Sequence, residues 1–183
     1  MKLKNAKIKI LDLDLKGCLY FNDFLHYQRI ALFFRWVSRL GNGIFWYVLL
    51  MIAYVMQGWA YWRQMVFIVL GCSVGTLIYK WLKQHTTRPR PYQVHQVIMR
   101  GEHPLDYFSF PSGHTLHAVM LSVVLGYIMP SLLWLMLPFT VLVALSRMVL
   151  GLHYPSDVLV GALIGASVAG LVILSANYLQ ISL

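Results

Sequence analysis

Acidic side chains are scarce in this 183-residue chain, with six Asp and Glu against fifteen Lys and Arg. Charged residues make up only 11% of it, 59% is apolar, and the mean hydropathy is +0.65. A water-soluble domain carries about 25% charged residues, so this composition excludes that class and points to a bilayer. Cysteine is nearly absent as well. Cys18 is polar-flanked and Cys72 lies within an apolar run, so neither a disulfide nor a thiolate metal site is expected. The N-terminus lacks an uninterrupted apolar run leading to a small-residue cleavage site. Lys2, Lys4, Lys7, Lys9 and Lys16 stand there instead, and no removable signal peptide is expected. The +9 formal charge sits beside apolar stretches rather than along an aromatic-studded soluble face, which argues against nucleic acid as a partner.

Long apolar runs are what the chain does have, at residues 44–59, 66–81, 115–129, 132–146 and 158–176. Each approaches the length of about 20 residues that crosses a bilayer. Residues 22–40 follow a helical pattern, with Leu25, Leu32, Phe33, Trp36 and Leu40 on one side and Gln28, Arg35 and Arg39 on another. With Arg29 this segment holds three arginines, which are costly at a bilayer centre. It reads as an interfacial helix ending near Gly41-Asn42-Gly43, the alternative being a charged first span. Residues 7–16 alternate polar and apolar and read as a strand-like or irregular arm. The expected fold is all-α, an integral membrane bundle of about five transmembrane helices plus an N-terminal interfacial amphipathic helix. It forms one domain over 1–183, with arm and interfacial helix in 1–43 and the membrane core in 44–177.

Aromatic residues Trp59, Tyr61 and Trp62, and the Pro130-Ser131 pair, mark turns on one face of the membrane. Counting crossings then brings three polar clusters together on the other face. In the first, Lys83 and Arg90 flank His85-Thr86-Thr87-Arg88-Pro89, and Pro91 restricts the backbone that presents them. Arg90 can hold phosphate oxygens through two parallel hydrogen bonds and Lys83 acts as a point charge. Snorkelling to the interface would explain Lys80, or Lys83 taken alone. In the second, Pro111-Ser112-Gly113-His114 opens a helix whose free N–H groups and dipole suit an anion. Ser112 and Gly113 would donate to phosphate, and His114 could protonate a leaving oxygen; a plain helix cap is the bland alternative. In the third, Ser146-Arg147 precedes His153 and Asp157. Asp157 bonded to one ring nitrogen of His153 would leave the other to attack phosphorus, or it could simply cap the last helix, as Ser156 could.

Lys-x6-Arg-Pro, Pro-Ser-Gly-His and Ser-Arg-x5-His-x3-Asp resemble the three signature motifs of the type 2 phosphatidic acid phosphatase superfamily, in particular its short bacterial membrane-embedded lipid phosphatases. All three match without substitution, over residues 83–157. The resemblance implies that His153 takes the phosphoryl group, Asp157 supports it, and His114 protonates the departing group. It also implies that Lys83, Arg90, Ser112, Gly113 and Arg147 cradle the phosphate, with no metal and no cofactor. His26, His85, His95 and His103 have no carboxylate or cysteine at ligand spacing, and His117, one turn below His114, reads as a packing residue.

The expected activity is hydrolysis of a membrane lipid phosphate or pyrophosphate, with undecaprenyl pyrophosphate favoured over phosphatidic acid and phosphatidylglycerophosphate. A vanadium haloperoxidase, a soluble branch of the same look, does not suit five apolar runs. A phosphotransferase drawing on undecaprenyl pyrophosphate would use the same residues with another acceptor. A non-catalytic membrane scaffold would rest on Gly161, Gly165 and Ala169, whose spacing brings helices together, and would leave the histidines unexplained. The loop over residues 92–110, with Arg100, Glu102, His103, Asp106 and Tyr107, is expected to roof the site and touch the headgroup. The bilayer and its lipid phosphate are the partners implied. Bacterial members resembling this chain place the protein in the inner membrane with a periplasmic site, whereas the N-terminal lysines favour the cytoplasmic face.

Overall fold

The computed structural model describes residues 2–181. Among them there is no strand; the chain forms α1 (Lys2–Asn22), α2 (Gln28–Gly41), α3 (Ile44–Gln57), α4 (Trp62–Thr86), the single turn α5 (Pro91–Val94), α6 (Gly113–Ile128), α7 (Leu133–Val149) and α8 (Pro155–Tyr178). Short 3₁₀ turns at Trp59–Tyr61 and Pro130–Leu132 join α3 to α4 and α6 to α7, where the aromatic and proline signals stand.

Every long apolar run is a helix. By length and hydropathy α4 continued through α5, α7 with the 3₁₀ turn before it, and α8 can each cross a membrane, and α2 with α3, bent by 48°, can make a fourth span. The apolar α6 is shorter. It is also the most enclosed, with Leu116, Ala118, Met120, Val124 and Leu125 fully buried against α4, α7 and α8. The outer helices turn Val69, Leu77, Val141, Leu159 and Leu171 outward, an apolar belt that suits lipid and not water.

Two glycines set how closely α8 can approach α6. A Cβ at Gly161 would lie 2.5 Å from the Ser112 carbonyl oxygen, and one at Gly165 would strike that of Leu116. The small-residue spacing therefore packs helices within this chain, and brings the start of α8 against the start of α6.

The N-terminal region differs from expectation at residues 7–16, which are not a strand-like or irregular arm but the middle of helix α1. The alternation is too short to outweigh tertiary contacts made at helical spacing: Asp14, Cys18 and Asn22 are buried along one stripe, and Gly17 packs on the Pro155 ring. In α2 the side bearing Leu32, Phe33 and Trp36 is exposed, as the pattern indicates. The other side is not given to water. Arg35 Nε donates to the Gly101 carbonyl at 2.7 Å and Arg39 Nε to Glu102 Oε2 at 2.9 Å, so two of the three arginines pin the long loop.

Candidate active site

The first cluster is placed by the end of α4. Thr87, with φ +45°, returns its N–H to Lys83 and stops the helix, and the chain then leaves helical form through Arg88, Pro89 and Arg90, with Pro91 opening α5. Gly113 and His114 begin α6, with Ser112 as its cap, while Arg147 ends α7 and His153 stands in the turn before α8. Lys83, Arg90, Gly113, His114, Arg147 and His153 all line one cavity of about 660 Å³. Its other end runs between α3 and α4, past Trp46, Leu50, Ile68, Val69 and Leu77.

His153 is 1% exposed. Arg90 Nη1 lies 3.3 Å from its Nε2, and a guanidinium can only donate, so Nε2 is the acceptor and the ring proton sits on Nδ1. That nitrogen faces Asp157 Oδ2 at 3.6 Å, an ion-pair distance short of a hydrogen bond. Oδ2 also accepts the Tyr154 N–H at 2.9 Å, so Asp157 caps α8 and faces the histidine with the same oxygen. The capping role is filled, while towards His153 the carboxylate stands close without bonding to the ring.

Ser112 does not line the cavity. Its hydroxyl caps α6 by accepting from the Thr115 N–H, and its own N–H donates to the Asp157 carbonyl at 3.0 Å. The helix-end donors without an intrahelical acceptor that belong to cavity-lining residues are the N–H groups of Gly113 and His114. His114 Nε2 meets Asn42 Oδ1, and Arg147 donates to the Ser38 hydroxyl.

Charge within the site is nearly matched. Asp106 Oδ1 accepts from Lys83 Nζ at 2.9 Å and from Arg90 Nη2 at 2.6 Å, so this loop residue, expected at the headgroup, holds two of the cavity's cations. Arg88 bridges Asp157 Oδ1 at 2.6 Å and Asp14 Oδ2 at 2.7 Å. Arg147, 2% exposed, has no carboxylate among the described residues, and its Nε lacks a partner. A buried guanidinium without an anion beside two more cations is a site waiting for negative charge.

Sequence reasoning overlooked Arg88, Asp14, Ser38 and Asn42. The doubled Arg-Pro was a signal for Arg88, and an acid inside an acid-poor chain was one for Asp14. Ser38 and Asn42 carry none. Of the histidines set aside, His117 packs against Thr76 and the Gly113 carbonyl, and exposed His26 does have a carboxylate nearby, Asp23 at 3.4 Å.

A family model described as the PAP2 superfamily matches residues 64–181. Over 82 residues the chain is 38% identical to undecaprenyl-diphosphatase BcrC of Bacillus subtilis, covering 45% of this chain and 42% of that one. Over 104 residues it is 35% identical to a decaprenylphosphoryl-5-phosphoribose phosphatase of Mycobacterium tuberculosis, covering 56% and 55%. It thus spans about half the length of the curated relatives it matches. The crystal structure of Aquifex aeolicus LpxE superposes with a TM-score of 0.77 at 25% identity, over 88% of this chain and 94% of that one. A transmembrane PAP2-type phosphatidylglycerolphosphate phosphatase from Bacillus subtilis shares the fold, with a TM-score of 0.77 at 24% identity over 95% and 88%. The matched residues contain all three polar clusters and cover well over half the chain, and on that ground the protein belongs to the PAP2 superfamily.

Proposed function

We propose that this protein is a metal-independent lipid phosphatase working through a phosphohistidine. The observation that carries the reading is the convergence of Lys83, Arg90, Arg147 and His153 on one end of a cavity whose other end is apolar. Phosphoryl transfer needs positioned positive charge more than a reactive cofactor, and three cations with helix N–H groups supply it. The substrate phosphate takes Arg147 and shares Lys83 and Arg90 with Asp106, which brings phosphorus beside Nε2 of His153. As Nε2 bonds to phosphorus, the bond to the leaving oxygen breaks and His114 gives that oxygen a proton. The phosphoimidazole is then cationic with its proton on Nδ1, opposite Asp157. His114, now a base, takes a proton from water, which attacks phosphorus and frees His153.

The apolar trough favours a lipid, and the relatives named for undecaprenyl and decaprenyl substrates favour a polyprenyl chain. Undecaprenyl pyrophosphate is therefore the first substrate proposed, ahead of phosphatidic acid and phosphatidylglycerophosphate. Purified protein in detergent with chelator should release phosphate from the preferred lipid, and His153→Ala should not. Release by that variant, or release abolished by chelator, contradicts the mechanism. Transfer to an acceptor lipid without release would make the protein a phosphotransferase. A scaffold role is not supported, because Gly161 and Gly165 are spent on contacts inside the chain.

The location proposed is a bacterial inner membrane with the site on the periplasmic face. Packing of α1 near His153 puts Lys9 and Lys16 on the side of the site, which weighs the other way. Impermeant thiol reagent applied to intact cells should label a cysteine placed at Glu102; protection there reverses the assignment.

A further inference from the structure

Helix α1 lies outside residues 64–181, yet it sends one carboxylate into the site's support. Asp14 is 3% exposed. Its Oδ2 accepts from Arg88 Nη2 at 2.7 Å and from the Ser156 hydroxyl at 2.6 Å, and its Oδ1 accepts from the Ser156 N–H at 2.9 Å. Arg88 reaches on with Nη1 to Asp157 Oδ1 at 2.6 Å and to Ser156 Oγ at 2.8 Å, its guanidinium lying 4.0 Å over the Tyr154 ring. Asp157 then faces Nδ1 of His153 at 3.6 Å. The result is an alternating row of Asp14, Arg88, Asp157 and His153.

A row of this kind has a simple charge balance. Two carboxylates enclose one guanidinium, so one net negative charge remains, and its open end is the histidine. Were Asp14 neutral, Arg88 and Asp157 would cancel, and the row would keep no net charge on the Nδ1 side to balance the positive charge that His153 acquires when it bonds to phosphorus. Because both carboxylates are removed from water and Arg88 is only partly exposed, this charge is weakly screened. The same carboxylate also fixes where Arg88 stands, since Arg88 leaves α4 on an extended Arg-Pro segment with no helix to hold it.

We propose that Asp14 is a positioning residue for the phosphoryl-transfer site, acting through Arg88 on Asp157 so that Asp157 keeps a net negative charge for His153. Neighbouring contacts give α1 the rigidity this needs. Cys18 Sγ lies 3.7 Å from the His153 carbonyl, and Asn22 donates to the carbonyls of Met99 and Val149 and accepts from the Met99 N–H. The N-terminal helix is by this account part of the active site's framework, not an appendage to it.

The proposal rests on the phosphatase reading, and its test separates the two. Asp14→Asn keeps size and acceptor geometry but removes the charge. In full-length protein, with an unfolding temperature like that of the parent, its kcat should fall about tenfold or more, the scale of one charge-assisted hydrogen bond, with KM changed less than about twofold. Asp14→Glu should recover part of the loss. Unchanged kcat, or a rise in KM alone, overturns the proposal; an inactive parent protein contradicts only the phosphatase reading. In that case nitrogen NMR of histidine-labelled protein in micelles decides, with His153 assigned through His153→Ala. Asp14→Asn should move the Nδ1 resonance of His153 and leave that of exposed-loop His103 in place, and an unmoved His153 resonance in folded protein overturns the proposal.

Discussion

His153 has two ring nitrogens, and its neighbours assign them opposite duties. Arg90, able only to donate, makes Nε2 a lone-pair acceptor, and that lone pair is the one the proposed mechanism uses for attack. Burial, with the positive charges of Arg90, Arg147 and Lys83 added to it, holds the imidazole well below its ordinary value of 6.5. A lowered value keeps the ring neutral as pH falls through 6.5, so the nucleophile survives in mild acid. The acid limb of kcat/KM that belongs to His153 should lie below pH 6.5, after allowance for the substrate's own second ionisation near about 6. A pH–rate series placing that limb above 6.5 contradicts the assignment. At this scale most of the residues that line the cavity's polar part were legible, because the three motifs present given side chains at fixed spacing. Their supports were not. Arg88 and Asp14 are 74 positions apart, His114 and Asn42 are 72 apart, and Arg147 and Ser38 are 109 apart, with no local pattern to join them.

Among the helices, the approach of α6 to α8 decides whether the second and third clusters meet. Two glycines one turn apart on α8 let the backbone of α6 come close, and their partners there are carbonyl oxygens that cannot step aside. Gly165→Ala should therefore cost about 1–3 kcal/mol, the usual penalty of overpacking, and lower activity in proportion to the protein unfolded. Gly170 serves as the control, since a Cβ there would meet nothing within 4 Å. Thermal unfolding in detergent should separate the two alanine variants clearly; equal stability would mean that the close contact at Gly165 carries no weight. Apolar runs made these helices readable, and Gly/Pro and aromatic turns fixed their ends. In α1 the lysine-rich, short alternation hides the stripe of Asp14, Cys18 and Asn22, which gains meaning only once the start of α8, the His153 turn, the end of α7 and Met99 lie against it.

Across the whole molecule, all six acidic residues are engaged. Asp12, Asp23 and Glu102 pair on the outside with Lys16, His26 and Arg39, while Asp14, Asp106 and Asp157 balance Lys83, Arg88 and Arg90 within the site. Scarcity of acid in this chain thus has a structural counterpart: half of what there is stands in and behind one cavity, and buried Arg147 is left without a carboxylate among the described residues. The same economy joins the N-terminal third to the remainder, through Asp14 at Arg88, Ser38 at Arg147, Asn42 at His114 and the two arginines of α2 at the roofing loop. The central claim is that phosphate passes through His153. Rapid acid-free quenching of the protein during turnover of phosphate-labelled undecaprenyl pyrophosphate, followed by peptide mass spectrometry, tests it directly. An alkali-stable, acid-labile phosphate on the peptide bearing His153, absent from His153→Ala, is the result expected. Turnover with no such phosphopeptide, or label retained in His153→Ala, contradicts the account.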